Sequence, residues 1–342
     1  MELQITWFVL WSVLWGVYFM LDGFVLGTGM LHPFLGRSET DKRVIINTVG
    51  PVWDGNEVWL ITAGGATFAA FPTTYALMFS YLYTALLLLL FALIVRGVSF
   101  EFRGKVESAG WRRGWDTAIF FGSLVPALLF GVTFGNIFRG LPMDVAGYQG
   151  SFLSLLNPYA LLTGLLFVLL FLMHGALYLS VKTRDELERL AVISAQRIWI
   201  PATAVAVVFL GATWFATRLF DNYINNPLLF AVPALAVAAL LSVRIFIGAG
   251  KLLSAFTASC VTILAVVATG VTGLYPNLIP STLDPAASLT IFNSSSSPYT
   301  LKIMTFVAGI FVPIVIAYKI WVYRVFRARV TGKDIEGDSH AY

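Results

Sequence analysis

Charge is scarce in this 342-residue sequence: only 12% of its residues are Asp, Glu, Lys or Arg, against roughly 25% in a soluble domain. With 58% hydrophobic residues and a mean hydropathy of +0.82, that deficit excludes an ordinary soluble fold and indicates a chain that lives in lipid. Histidine is nearly as rare. Only His32, His174 and His340 occur, and His174 alone falls well inside an apolar run. The chain by itself therefore does not supply the several intramembrane axial ligands that a multi-haem or haem–copper centre needs. A single cysteine, Cys260, excludes an internal disulfide and a thiolate metal site. Also missing are a phosphate-binding loop, a nucleophile elbow and zinc-type ligand spacing. The net charge of +4 is no sign of a nucleic-acid partner, because the basic residues sit at the ends of apolar runs and anchor them. No cleavable signal is expected at the N-terminus: Glu2 precedes a run much longer than an h-region, with no small-residue cleavage site after it.

What the sequence has in abundance is long apolar runs. A transmembrane helix needs about 20 such residues, and nine spans are predicted near 6–31, 46–71, 73–97, 116–138, 157–181, 198–219, 228–247, 253–273 and 301–326. The predicted fold is all-α, a polytopic transmembrane helix bundle forming one membrane domain over 1–342. The stretch Val58–Val95 carries no charge and is too long for one helix, and Phe71-Pro72-Thr73-Thr74 supplies a turn within it. The piece before that turn is too short to span alone. The second span is therefore expected to reach upstream and draw Trp53-Asp54-Gly55-Asn56-Glu57 into the membrane, a re-entrant segment being the alternative. Nineteen of the 22 basic residues fall in segments on one side, leaving Arg139, Arg218 and Lys302 on the other. The positive-inside rule then places the N-terminus outside and the C-terminus in the cytoplasm. The long outside segment near 274–300, with Asn293-Ser294-Ser295-Ser296-Ser297-Pro298, reads as a flexible connection, and the polar tail Lys333–Tyr342 as frayed. No internal repeat is recognised, which weakens an inverted-repeat transporter reading.

Ionisable groups inside spans cost roughly 2.5–3.5 kcal/mol on insertion scales, so each is a candidate functional residue. Asp22 lies deep in the first span, among glycines (Gly23, Gly27, Gly29) that let another helix approach closely; a buried carboxylate there needs a donor from that helix. Asp54 and Glu57 are three residues apart and share a face of the second span. In a low dielectric the two do not both ionise cheaply, so one is expected to hold an exchangeable proton, with Asn56 as a hydrogen-bonding companion. The other reading is that both simply pair with arginines of a neighbouring helix. Arg96, Glu101 and Arg103, at the cytoplasmic close of the third span, are candidate partners. Asp116 is expected in the first turn of the fourth span, where an acid favours the helix dipole.

These residues resemble a known family. Asp22-Gly23-Phe24, Gly27-Thr28-Gly29-Met30-Leu31 and Trp53-Asp54-Gly55-Asn56-Glu57-Val58-Trp59 running on to Phe71-Pro72 are similar to subunit II of cytochrome bd-type quinol oxidases. The similarity continues through Trp115-Asp116, Gly131-Val132-Thr133-Phe134-Gly135-Asn136 and Leu156-Asn157-Pro158 to Met304-Thr305 and Pro313, covering essentially the whole chain. The resemblance implies an accessory subunit of a respiratory complex of the bacterial cytoplasmic membrane that oxidises quinol and reduces dioxygen to water. It implies that haems b and d belong to a partner, subunit I, and that this chain binds no metal alone. It also implies a part in assembly and in a cytoplasmic proton path through Asp54, with Glu57 and Asp22 nearby, and leaves room for a quinone or lipid site and a small single-span subunit. In one place the pattern departs: many relatives carry a second acid in Asp-Gly-Phe-Asp, where Val25 stands here, so that acid's role does not carry over. The rival reading is a proton-coupled secondary transporter or channel using Asp22, Asp54 and Glu57 as coupling acids.

Overall fold

The computed structural model describes residues 1–336, and it is an all-α bundle. Its long helices are α1 (Glu2–Leu35), α3 (Trp53–Ala70), α5 (Tyr83–Phe102), α6 (Ala109–Arg139), α7 (Pro158–Lys182), α8 (Asp185–Ala216), α10 (Ala231–Gly248), α11 (Leu252–Leu274) and α12 (Pro298–Val325). Shorter helices are α2 (Glu39–Val49), α4 (Pro72–Tyr81), α9 (Leu219–Asn225) and α13 (Gly332–Glu336). Two small hairpins, β1 (Met143–Asp144) with β2 (Gly147–Tyr148) and β3 (Asn277–Ile279) with β4 (Leu289–Thr290), pair antiparallel. Among the described residues, eight helices are long and apolar enough to cross a membrane; α3, whose first turns carry Asp54, Asn56 and Glu57, is not among them.

Contacts at the two ends of the bundle show that α3 runs from one end to the other. At the basic end Arg103 holds Glu39, Arg329 holds Glu188 at 2.6 Å, and the Val330 N–H donates to the Lys182 carbonyl at 2.8 Å. At the opposite end Gln4 reaches Ser295 at 2.8 Å, and the Leu141 N–H donates to the Pro280 carbonyl at 2.9 Å. Helix α3 starts at the basic end, where Asn56 meets Tyr323 near the close of α12, and it finishes at the other, where the Ser296 N–H donates to the Ala70 carbonyl at 2.8 Å. Eighteen residues at about 1.5 Å each give roughly 27 Å, close to the hydrocarbon thickness. The length and end contacts of α3, not its hydropathy, place it alongside the eight candidate spans.

Several boundaries differ from the sequence reading. The second span begins at Trp53, not near 46, because the chain turns at Gly50-Pro51-Val52 and Pro51 has no N–H to continue α2. Helix α2 is a separate helix that begins with a capping box between Ser38 and Asp41. No re-entry occurs along α3. The turn at Phe71-Pro72 is present, and the third span is interrupted once more at Leu82, between α4 and α5. Helix α6 starts at Ala109, which puts Asp116 two turns inside it; the dipole account of that residue is therefore wrong, and its partners are cations. Helix α8 begins thirteen residues before the predicted 198, with Asp185, Glu186 and Glu188 in its first turn, where negative charge suits the dipole. The segment 274–300 is hydrogen-bonded rather than loose. Thr74 donates to the buried Ser294, and Ser296 donates to the Ala69 carbonyl at 2.6 Å. Nor does the tail fray from Lys333: Lys333–Glu336 belong to α13, whose Ile335 is buried. His340 lies outside the described residues.

The core is an aromatic stack of Trp15, Tyr18 and Phe19 from α1 against Phe130 and Phe134 of α6 and Phe167 and Phe171 of α7. Just below it α1 and α7 touch backbone to backbone at Gly27 and Gly175, where any Cβ would overlap the facing chain. That contact rigidly sets the register of α1, and hence the depth of Asp22. Helix α12 is the opposite case, with Leu301 its only buried residue.

Candidate functional site

The site is built on α1, α3 and α5. Tyr18 and Asp22 lie one turn apart on α1, and the Tyr18 hydroxyl donates to Asp22 Oδ2 at 3.1 Å. From α5, Arg96 donates through Nη2 to both Asp22 oxygens, at 3.0 and 3.2 Å, and to Glu57 Oε1 of α3. Arg96 and Asp22 are completely buried, whereas the Glu57 side chain is 23% exposed. Arg96 is pressed against α6 at Gly122, where a Cβ would come within 3.0 Å of the Arg96 Cβ and backbone nitrogen. Its Nε and Nη1 have no partner among the described residues. One guanidinium therefore faces two carboxylates in a low-dielectric interior. With both ionised the cluster is one negative charge in excess, and a single proton neutralises it.

Glu57 is the partly exposed carboxylate of the cluster. Glu57 and Glu101 line the same groove, of about 460 Å³, between α3 and α5, with Trp53 and Gly97 on its floor. On the other side of α3, the buried Asn56 donates to the Leu21 carbonyl at 2.8 Å and accepts from Tyr323 at 3.0 Å and Lys319 at 3.4 Å. Asp54 is exposed in the first turn of α3, and its carboxylate accepts the Gly55 N–H at 2.5 Å. The Lys319 ammonium lies directly over Gly55. The structure thus brings Glu57 to Asp22 rather than to Asp54, and the guanidinium between them is that of Arg96.

Arg103 and Asp116 belong to a second cluster at the basic end. Asp116 accepts from Arg103 Nε at 2.5 Å and from Lys42 Nζ at 2.8 Å, and Arg103 also grips Glu39 with two bonds of 2.8 and 3.0 Å. His32 is buried 3.8 Å from Asp116. An apolar wedge of Val25, Ile46, Phe100 and Ile119 belongs to a compact cluster on this side of α1.

Sequence reasoning missed Tyr18, Lys42, Glu39, Lys319 and Tyr323. The i, i+4 spacing of Tyr18 and Asp22 was a usable signal, as was a lysine seven residues short of the last span's predicted end. His174 has both nitrogens engaged, Nδ1 with Ser259 at 2.7 Å and Nε2 with the Met20 carbonyl at 3.0 Å, and its ring stacks on Phe256. Neither His174 nor His32 lines the cavity of about 940 Å³ between α1, α3 and α12 or that of about 690 Å³ between α1, α7 and α11.

These features define a polytopic membrane protein with a largely buried cluster of two carboxylates on one guanidinium. The sequence profile of the family described as cytochrome bd terminal oxidase subunit II matches residues 3–326, and the chain belongs to that family, a component of a haem-containing quinol oxidase complex. It is 38% identical to cytochrome bd-I ubiquinol oxidase subunit 2 of Escherichia coli K12, across 99% of this chain and 98% of that one. It is likewise 38% identical to cytochrome bd ubiquinol oxidase subunit 2 of Bacillus subtilis strain 168, across 97% and 98%. The fold is similar to a chain of the bd oxidase from Geobacillus thermodenitrificans, with a TM-score of 0.78 over 95% of this chain and 99% of the other, at 18% identity.

Proposed function

We propose that this chain supports a haem-bearing subunit I in the bacterial cytoplasmic membrane and carries part of the proton path from the cytoplasm to the oxygen-reducing site, without being catalytic alone. The observation that carries the reading is the Asp22–Arg96–Glu57 cluster, two carboxylates on one buried guanidinium, of which Glu57 is partly exposed. Protons enter from the basic end at Asp54 and Glu101, and Glu57, the half-open member, takes them up. A proton on Glu57 removes the excess negative charge; its release toward the partner restores it, and Arg96 with Tyr18 holds Asp22 fixed throughout. The partner supplies haems b and d and the site where quinol is oxidised and dioxygen reduced. Its surface on this chain is the uncovered length of α12 together with the exposed outer residues of α3 and α5, among them Val58, Ile61, Leu90 and Ile94. A small single-span subunit fits the same scheme.

Two variants of the assembled complex test this. Asp54→Asn and Glu57→Gln are each expected to lower quinol oxidase turnover about tenfold or more, the scale of a lost proton-transfer group, with the reduced-minus-oxidised haem spectrum unchanged. Wild-type turnover in both would leave the cluster a purely structural feature.

A further inference from the structure

One cation on α12 belongs to neither charged cluster. Lys319 stands six residues before the end of α12 at Val325, about 9 Å inside it at 1.5 Å per residue. A cation at that depth is costly enough to mark a functional residue by default. Lys319 lines the groove of about 940 Å³ that separates α12 from α1 and α3. Its ammonium is delivered to α3 at Gly55, where any Cβ would overlap Nζ. Glycine at that position is what lets the charge lie against the helix.

The ammonium stands between two acids and pairs with neither. Asp54 precedes Gly55 on α3, and Asn56, which follows it, donates to the Leu21 carbonyl beside Asp22 at 2.8 Å. Among the described residues the one hydrogen bond of Lys319 goes to Asn56 Oδ1, at a long 3.4 Å, and no carboxylate forms an ion pair with it. Its charge nevertheless acts on both Asp54 and Asp22. Tyr323, one turn further along α12, donates to the same Asn56 oxygen at 3.0 Å, so two side chains of α12 share one amide anchor. The titratable and charged groups facing this junction are Tyr18 and Asp22 on α1, Asp54 and Glu57 on α3, Arg96 and Glu101 on α5, and Tyr323 and Arg324 on α12, with Arg327 just beyond it. Of the cations, Arg96 is held by two carboxylates, and Arg324 and Arg327 lie nearer the basic end. Lys319 is the one placed to act on the acid-rich cluster from a distance.

Building on the proton-path reading, we infer that Lys319 is a positioning residue that sets how tightly the Asp22–Arg96–Glu57 cluster holds its proton. Without that proton the cluster carries one negative charge in excess, which the ammonium of α12 offsets from across Asn56. Once the proton is on, the same ammonium opposes its retention. The proton is thus taken up without being trapped, and release toward the partner is favoured. A carboxylate near a cation gives up its proton at lower pH, and one that loses the cation keeps it to higher pH.

The test follows two readouts on the assembled oxidase complex. One is the pH profile of quinol oxidase turnover; the other, by infrared difference spectroscopy, is the carboxylic-acid band that Glu57→Gln abolishes. Lys319→Met is expected to move the alkaline limb of the profile, and the pH at which the band is lost, upward by about half a unit or more, with peak turnover reduced. Lys319→Arg keeps the charge and should hold both at the wild-type position. Lys302→Met removes the same charge from the opposite end of α12, roughly 25 Å away along the helix, and should move neither. Gly55→Ala pushes the ammonium off α3 without removing it; it should shift both readouts in the same direction by less, and keeps the test open if Lys319→Met does not assemble. A band and profile unmoved in Lys319→Met and in Gly55→Ala overturn the inference, as does an equal shift in Lys302→Met. So does the lack of any band that Glu57→Gln abolishes. Wild-type turnover in Glu57→Gln would instead sink the proton-path reading, while the band position in Lys319→Met still decides whether Lys319 governs the proton on Glu57.

Discussion

The chain holds two charged clusters that differ in what they leave unfinished. Around Arg103, each acid has more than one cationic partner: Asp116 has Arg103 and Lys42, and Glu39 has Arg103 with Arg112 3.7 Å away. That cluster has three cations for two acids and is partly open to water, with Glu39 40% exposed, and it ties the α1–α2 connection to α5 and α6. Around Arg96 the ratio is reversed, with two acids on one cation and two guanidinium nitrogens unmatched among the described residues. A cation-rich cluster has no use for a further proton; an acid-rich one in a low dielectric does. The Val25 side of α1 keeps the two apart, since an apolar wedge stands where the Asp-Gly-Phe-Asp pattern would place another acid. On the proposed proton-path reading, what singles out the Arg96 cluster is incomplete pairing in a largely buried setting rather than nearness to the cytoplasm.

The sharpest way to break this contrast is Arg96→Met. Removing the cation leaves two buried carboxylates facing each other, a loss of about 3–5 kcal/mol, and the complex should fail to assemble, read as lost haem absorbance in membranes. Combining it with Asp22→Asn and Glu57→Gln should restore much of the assembly, because all three charges are then gone. Normal assembly of Arg96→Met alone would show that the cluster is not the electrostatic unit described. Next in size is a crossed pair of variants. Asp116→Asn loses charge-assisted bonds worth about 1.5–3 kcal/mol, and its complex should melt earlier with turnover unchanged. Glu57→Gln should do the reverse, melting near wild type and turning over slowly. If both variants lost stability and activity together, the distinction between the two clusters would collapse.

Much of this was legible before any coordinates. The basic-residue asymmetry and the turn at Phe71-Pro72 were visible in composition and local pattern, and Asp22, Glu57 and Arg96 each stood out as charges in apolar surroundings. Gly23 and Gly27, four apart, announced a close helix contact, which α7 provides. What one dimension does not carry is convergence. Asp54 and Glu57 look coupled because three residues separate them, yet the α3 axis turns Glu57 inward to a guanidinium 39 positions away and leaves Asp54 at the surface. Lys42 reads as a topological anchor until Asp116 is found beside it. Asp116 itself was misjudged because hydropathy marks where lipid begins, while α6 starts two turns earlier in the aqueous layer. Likewise α2 and α3 merge in a hydropathy profile, and only the missing N–H of Pro51 separates them.

The smallest expected effect concerns Glu39, the acid at the open edge of the cluster around Arg103. Partial burial pushes its carboxyl up, but hydrogen bonds from Arg103, then the charges of Arg103 and Arg112, hold it down more strongly, and the net position is below the usual glutamate range. Its contribution to stability is therefore fully present above the unfolded-chain value of about 4.3 and is lost as pH falls through the lower folded value. The side chain is well exposed to solvent, so screening limits the gain to about 0.5 kcal/mol. Thermal melts of the complex with Glu39→Gln should thus lie slightly below wild type at pH 7, and the gap should close on acidification below about pH 4 and shrink in high salt. A gap that widened toward acid would mean that Glu39 is held protonated in the folded chain. The cluster around Arg103 would then take up a proton despite its surplus of cations, and the contrast with the Arg96 cluster would collapse.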